Sequence, residues 1–434
     1  MNSYILEGGC RLQGEVKISG SKNAALPVLA ATVLLDGKYR IENIPLIEDI
    51  ITLLDILRSL GAGVELLPDG TVIIDSSSVN ITTATSDAVS RLRGSYYLLG
   101  ALLGRFGHAS LKMPGGCNFG SRPIDLHLNG FRQLGADIVV EEDVVTCSAD
   151  RLTGKNVFMD IVSVGATINL ILAAVKAKGT TIIYNAAKEP HVVDMANFLN
   201  AMGGNIHGAG TDIIRIHGRH TLRSSGSYAI IPDQIEAGTY MAMAALTKGD
   251  IVLDNVIPSH LEAISAKLRE MGVTIEAGED SVRVLMEPED KLVSTNFVTS
   301  PYPGFPTDMQ PQIMVLLTQA EGTGKVTENV WNNRFQYIDD LRSLGAKIVT
   351  EGRSAFVAGR SNLSAATVRA HDLRAGAAMV MAGLVAGGIT EIRNVDLIER
   401  GYENFVEKMR SLGAVIEKRP TVVSEDAADV DSAV

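Results

Sequence analysis

At 434 residues the chain is too long for one ordinary hydrophobic core, which makes two domains the prior. With 46% apolar and 21% charged residues it reads as a globular protein, and three cysteines exclude a disulfide framework and fit a reducing cytoplasm. A net charge of −11 argues against nucleic acid as a partner, although a local cluster of Arg and Lys can still hold an anionic small molecule. No apolar run is long enough to span a bilayer, and MNSYILEGG lacks the basic start of a signal peptide, so a cytoplasmic protein without membrane contact is expected.

In chain order, one unit recurs six times. Small-residue apolar helices are predicted to start near Ser21, Arg93, Gly165, Asp233, Asp308 and Asp372. Alternating strands follow, and YRIENI, TIIYNA, DIVLDNV, KVTENV and TEIRNV place Asn43, Asn185, Asn255, Asn329 and Asn394 at one beat. A second, amphipathic helix then ends at Gly61, Gly135, Gly203, Gly272, Gly345 and Gly413, which lie 68 to 74 residues apart. One such unit cannot bury its sheet and its apolar helix alone. The expectation is an α/β protein of two inside-out domains, each of three repeats with interior helices and sheets outside. One domain is expected over 22–231 and a second over 1–21 with 232–420, leaving 421–434 as an acidic disordered tail.

The second unit breaks the asparagine pattern with SLKMPGG, which opens the stretch PGGCNFGSRPIDLH. Glycines let that loop approach a ligand, Cys117 offers a thiol, and the Arg122 guanidinium suits phosphate or carboxylate. Cys10 and Cys147 lie in apolar, strand-like surroundings and read as packing residues. The interior helices begin on polar residues, including Lys22 and Asn23, Arg93, Ser163, Asp233, Asp308, Asp372 and Arg374. Their free N–H groups favour anions, while Ser163, Asp308 and Asp372 also qualify as plain helix caps. Lys22 and Arg374 oppose the helix dipole and need another reason to be there. Arg334 and Arg400 are expected on loops facing the same cleft. The histidines of HGRH, His217 and His220, read as surface loop rather than metal site, and no zinc, P-loop or dinucleotide signature stands out.

Taken together, SGSKNAALP, PGGCNFGSRPIDLH, DIVSVGAT, NAAKEP, FPTDMQ, NRF, AHDLRAGA and ERGYE resemble the enolpyruvyl transferase family, specifically its UDP-N-acetylglucosamine 1-carboxyvinyltransferases. The match runs from about Met1 to about Lys418. The resemblance implies transfer of the enolpyruvyl group of phosphoenolpyruvate to the 3′-hydroxyl of UDP-N-acetylglucosamine, with release of phosphate and no cofactor or metal. It assigns Cys117 as the acid and Asp308 as the acceptor of the sugar hydroxyl proton. Lys22, Arg122 and Arg400 match the cations on phosphoenolpyruvate, with Arg374 and Arg334 close by. Asn23, Ser163, Val164 and Gly165 match sugar and diphosphate contacts. Arg93, Val330 and the run Arg122, Pro123, Ile124, Asp125 and Leu126 match residues around the UDP moiety. Asp233 and Asp372 match interdomain residues. Ile161 and Gln234 depart from the family, standing where some members carry a lysine and an arginine. The shikimate-pathway transferase shares the expected fold but lacks the cysteine loop. A retired paralogue kept as a binding protein is the reading from another class, and intact Lys22, Cys117, Asp308 and Arg400 speak against it.

Overall fold

The computed structural model describes residues 2–113 and 124–421. Cys117, Arg122, Pro123 and all but the first residue of the expected tail lie outside the described residues. Two separate hydrophobic cores form, one drawn from residues between Ala24 and Ile230, the other from Tyr4 to Ile18 together with Ile235 to Ile416.

Each core is built on three interior helices. In the first they are α1 (Lys22–Leu34), α2 (Tyr97–Phe106) and α3 (Val164–Ala174); in the second, α4 (Gln234–Leu246), α5 (Gln310–Gln319) and α6 (Leu373–Val385). Their faces carry Ala, Gly, Leu, Met and Val on all sides, so they are stable only with neighbours all round. Packing is close where α2 meets α3. A side chain at Gly100 would place its Cβ 2.5 Å from the Asn169 carbonyl oxygen, so only glycine admits this approach. Asn169 then fastens the pair: its Oδ1 accepts from the Gly100 N–H at 2.9 Å, and its Nδ2 donates to the Tyr96 carbonyl at 3.1 Å.

Outside the helices, the described residues form six four-stranded sheets of one pattern, a parallel outer pair followed by an antiparallel hairpin. In the second repeat, for example, Thr83–Ala84 runs parallel to His108–Lys112, which pairs antiparallel with Val144–Ser148 and through it with Asp137–Glu141. The chain ends close the sets. Asn2–Glu7 fills the inner hairpin position beside Ile389–Arg393 and Val415–Pro420, and Gln13–Lys17 supplies the parallel strand to Asp250–Asp254. In the other body Ser225–Ala229 returns to complete the first sheet beside Lys38–Glu42. These are two inside-out α/β domains of three repeats each.

Both repeat markers have a backbone cause. The six glycines after the amphipathic helices all have positive φ, between 92° and 105°, as a left-handed helix stop requires. Asn43, Asn185, Asn255 and Asn394 are left-handed too, a conformation asparagine tolerates better than other side chains. Three of them use the side chain to bind a carbonyl near the end of a neighbouring strand: Asn43 to Ile230, Asn185 to Met159 and Asn255 to Ile18, at 2.7–2.9 Å. Asn329 departs from this set. Among the described residues no helix is long and apolar enough to cross a membrane.

Candidate functional site

The interior helices begin on polar residues, but the aspartates do different work. Asp233 accepts from the N–H groups of Ile235 and Glu236, and Asp372 from those of Arg374 and Ala375, so both are true caps. Ser163 caps α3 through Ala166 N–H at 3.3 Å. The capping reading of Asp308 is corrected: it sits inside the short turn Thr307–Met309 ahead of α5, which has no side-chain cap. It faces cations instead. Its Oδ1 accepts from Arg334 Nη2 at 2.9 Å and its Oδ2 from Arg374 Nε at 3.4 Å. Both guanidiniums are buried, 3% and 2% exposed, so their positions are fixed by packing. Burial opposes the charge of Arg374, yet Tyr402, Asp308 and Asp233 raise its pKa above the usual arginine value. Its guanidinium also lies 5.2 Å from the centre of the Tyr402 ring.

A second cluster joins the two cores. Lys22, at the start of α1, donates from Nζ to Asp49 Oδ2 at 2.9 Å, and Arg400 donates from Nε to Asp49 Oδ1 at 2.8 Å. Burial pushes the Asp49 carboxyl up, but Lys22 and Arg400 outweigh it and hold it below the ordinary carboxylate range. This explains the cation at the head of α1, which the helix dipole disfavours. Further bonds cross at the same seam: Arg400 Nη2 to the Arg91 carbonyl at 3.4 Å, Leu46 N–H to Glu403 at 2.7 Å, and Lys22 N–H to Asp233 Oδ2 at 3.3 Å. Sequence reading missed Asp49, whose place in EDIITLLDIL looks like an ordinary acidic first turn.

It also missed His191, in the first turn of the helix Pro190–Ala201. Burial lowers its pKa, against the opposing pull of the Glu189, Asp233 and Asp308 carboxylates. Glu189 accepts from the Tyr302 N–H at 3.3 Å, another bond between the two bodies.

A third group lies around the heads of α2 and α3. The Arg93 guanidinium stands 5.6 Å from the Tyr96 ring centre, and Tyr96 meets His127 edge to face at 4.9 Å. Burial drives the His127 pKa down to about 3, helped by Arg93. Gly165 is the close-approach residue here, because a Cβ would lie 2.8 Å from Tyr96 Oη and 2.9 Å from the His127 ring. Ser163, Val164 and Gly165 are half-buried, as is Asn23 at the head of α1. Ile124 is buried and Asp125 and Leu126 begin the helix Asp125–Gln133. Val330 is half-buried on the loop after Thr323–Thr327. Ile161 is 64% exposed, a bare apolar side chain next to this edge.

The remaining cysteines behave as packing residues. Cys147 is fully buried and burial pushes its thiol up to about 12, and burial also raises Cys10. His217 ends the strand Ile213–His217 rather than lying in a loop, with Nδ1 2.9 Å from Thr180 Oγ1. No group of three His, Cys, Asp or Glu able to hold a metal occurs among the described residues.

The EPSP synthase (3-phosphoshikimate 1-carboxyvinyltransferase) family model matches residues 6–409. A UDP-N-acetylglucosamine 1-carboxyvinyltransferase from Halothermothrix orenii is 49% identical over 96% of this chain and 100% of its own length. UDP-N-acetylglucosamine 1-carboxyvinyltransferase 3 from Caldanaerobacter subterraneus is 52% identical over 96% of this chain and 99% of its own. Among solved structures, the enolpyruvyl transferase NikO from Streptomyces tendae superposes with a TM-score of 0.89 at 29% identity, covering 97% of this chain and 99% of that one. EPSP synthase from Acinetobacter baumannii, at 20% identity and a TM-score of 0.75 over 96% of this chain, shares the fold. With a model match over most of its length and near full-length relatives at about half identity, the chain belongs to the enolpyruvyl transferase family described by the EPSP synthase model.

Proposed function

We propose that the protein transfers the enolpyruvyl group of phosphoenolpyruvate to the 3′-hydroxyl of UDP-N-acetylglucosamine and releases phosphate, a cytoplasmic step in making peptidoglycan precursor. The observation that carries this reading is the pair of cation clusters, Lys22 with Arg400 and Arg334 with Arg374, set around Asp308 and Asp49 where the two cores meet. Phosphoenolpyruvate carries a phosphate and a carboxylate, and buried or half-buried guanidiniums recognise both. A sugar hydroxyl must lose a proton as it attacks, and Asp308 is the half-buried carboxylate held by those cations. The stretch PGGCNFGSRPIDLH supplies Cys117 as the acid, which favours the sugar-nucleotide reaction over the shikimate one. Arg122 joins Lys22 and Arg400 on phosphoenolpyruvate, and Asn23, Ser163, Val164, Gly165 and Val330 hold the sugar nucleotide. Arg93 and the run Pro123 to Leu126 flank its UDP end. Phosphate release requiring both substrates, absent with shikimate 3-phosphate in place of the sugar nucleotide, tests the reading. Release from phosphoenolpyruvate with shikimate 3-phosphate as acceptor, and none with UDP-N-acetylglucosamine, would overturn it.

The binding residues come from both bodies, 22–231 and 1–21 with 232–420, so substrate should favour closure by its extra affinity for the closed form. Asp49 is the carboxylate at that seam. Asp49→Asn leaves Lys22 and Arg400 facing each other with no negative charge between them. Truncating one partner of a buried charge pair costs on the order of 2–5 kcal/mol, so the KM for phosphoenolpyruvate should rise at least about tenfold. Solution scattering should show a larger radius for the variant and compaction when UDP-N-acetylglucosamine is added. Unchanged radius and KM would make the pair a crossing contact without consequence. Because the folded pKa of Asp49 lies below the ordinary value, its contribution is complete at neutral pH and fades only as pH drops through that lower value.

A further inference from the structure

Glu328 is 1% exposed, and its hydrogen-bond partners among the described residues are all neutral donors. Its Oε1 accepts from Thr299 Oγ1 at 2.8 Å, Val330 N–H at 2.8 Å and Trp331 N–H at 3.0 Å. Its Oε2 accepts from Thr307 Oγ1 at 2.9 Å. Burying a carboxylate is costly unless its lone pairs are met, and here four donors meet them. The repeats show what is unusual about this position. Glu328 precedes Asn329, whose counterparts Asn43, Asn185, Asn255 and Asn394 are left-handed. Asn329 leaves that conformation and gives its N–H to Thr299 Oγ1 at 2.9 Å, while Glu328 gathers the following turn. The exception falls in the repeat that carries Asp308.

From Glu328 a chain of bonds leads to Asp308. Thr307 donates its hydroxyl proton to Glu328, which leaves a lone pair to accept from Arg334 Nη1 at 2.7 Å. Arg334 Nη2 then reaches Asp308 Oδ1 at 2.9 Å. One carboxylate thus fixes both the Val330–Trp331 backbone and the guanidinium that holds Asp308.

We infer that Glu328 is a positioning residue for the transfer reaction: it sets the direction of the Thr307 hydroxyl, and through it the place of Arg334 against Asp308. This rests on the reading of Asp308 as the group that takes the sugar hydroxyl proton. In Glu328→Gln the amide oxygen must face the two backbone N–H groups. That turns the NH₂ toward Thr307 and removes the acceptor for its proton. Thr307→Val breaks the same chain one step later and keeps the side-chain shape.

The test is steady-state kinetics, sugar-nucleotide binding and melting for Glu328→Gln, Thr307→Val, the double variant and Asp308→Asn. A misplacement of about 1 Å at a reacting group can cost on the order of 10²-fold, so each single variant should lose roughly 10- to 100-fold in kcat. Affinity for UDP-N-acetylglucosamine should stay within a few-fold, with melting close to wild type. The double variant should be no slower than the slower single one, because both act through one chain. Wild-type kcat in Glu328→Gln, losses confined to melting, or a double variant showing the product of the two losses would overturn the inference. If Glu328→Gln does not fold, Thr307→Val decides in its place, and wild-type kcat there has the same consequence. The two failures separate: wild-type turnover in Asp308→Asn sinks the role of Asp308, whereas wild-type turnover in Glu328→Gln beside an inactive Asp308→Asn sinks only the positioning.

Discussion

Asp308→Asn is expected to lower turnover by on the order of 10²–10⁴, the usual contribution of a positioned base, while sugar-nucleotide binding largely survives. The amide keeps the shape of the side chain but cannot take the hydroxyl proton. The local geometry sharpens the test. Asp308 stands between Arg334 and Arg374, so the neutral amide of the variant gives up both ion pairs, and its NH₂ must face one guanidinium without a hydrogen bond. Some loss of stability is therefore expected alongside the loss of rate. The two effects are separable, because a carboxylate needed only to neutralise two buried cations would lower the melting temperature and leave kcat per folded molecule unchanged. Melting, UDP-N-acetylglucosamine binding and single-turnover rate on one preparation distinguish them. Wild-type rate in the folded variant would reduce Asp308 to a structural counter-ion.

The repeat was legible in the sequence because its two markers answer to backbone demands. A left-handed stop needs glycine at Gly61 and its five counterparts, and four left-handed strand ends take asparagine. The interior helices were legible for a related reason, since α1, α4 and α6 are apolar on every face. The site was legible only where a residue contradicts its local surroundings. Lys22 and Arg374 oppose a helix dipole, and that conflict marks them out in the sequence. Asp49, His191 and Glu328 contradict nothing nearby. Asp49 suits a helix start, His191 follows a proline at one, and Glu328 continues a strand ending that is acidic in other repeats too. Their meaning comes from partners far along the chain, such as Arg400 for Asp49, and no local pattern carries that. The role of Asp308 was ambiguous for the same reason: in sequence it is one more aspartate at a helix head, and only its guanidinium partners set it apart from Asp233 and Asp372.

Replacing Cys117 should separate acid catalysis from packing, because the outcome depends on protonation state rather than on size. The reaction needs a proton delivered to C3 of the enol while C2 accepts the sugar oxygen. A thiol with a pKa near ~8.5 is mostly protonated at neutral pH and has that proton to give. Cys117→Ser offers a hydroxyl of far higher pKa that protonates carbon poorly, so activity should fall close to zero across the pH range. Cys117→Asp keeps a titratable proton at lower pKa, near ~3.9 when unperturbed, so part of the activity should survive with its optimum moved to lower pH. The sign follows from the acid's role: rate is lost as pH rises through the pKa of the donor, and the aspartate loses its proton first. Both variants should also escape alkylation by small phosphonate epoxides that mimic phosphoenolpyruvate, since the thiolate is the soft nucleophile such reagents need. The other two cysteines provide the internal contrast. Cys147 is fully buried, with its thiol pushed up to about 12, so it should stay unmodified under conditions that label Cys117. The measurement is a pH–rate profile for wild type and both variants, with and without epoxide. Full activity of Cys117→Ser at every pH would overturn the assignment and leave Cys117 a packing residue in a substrate loop.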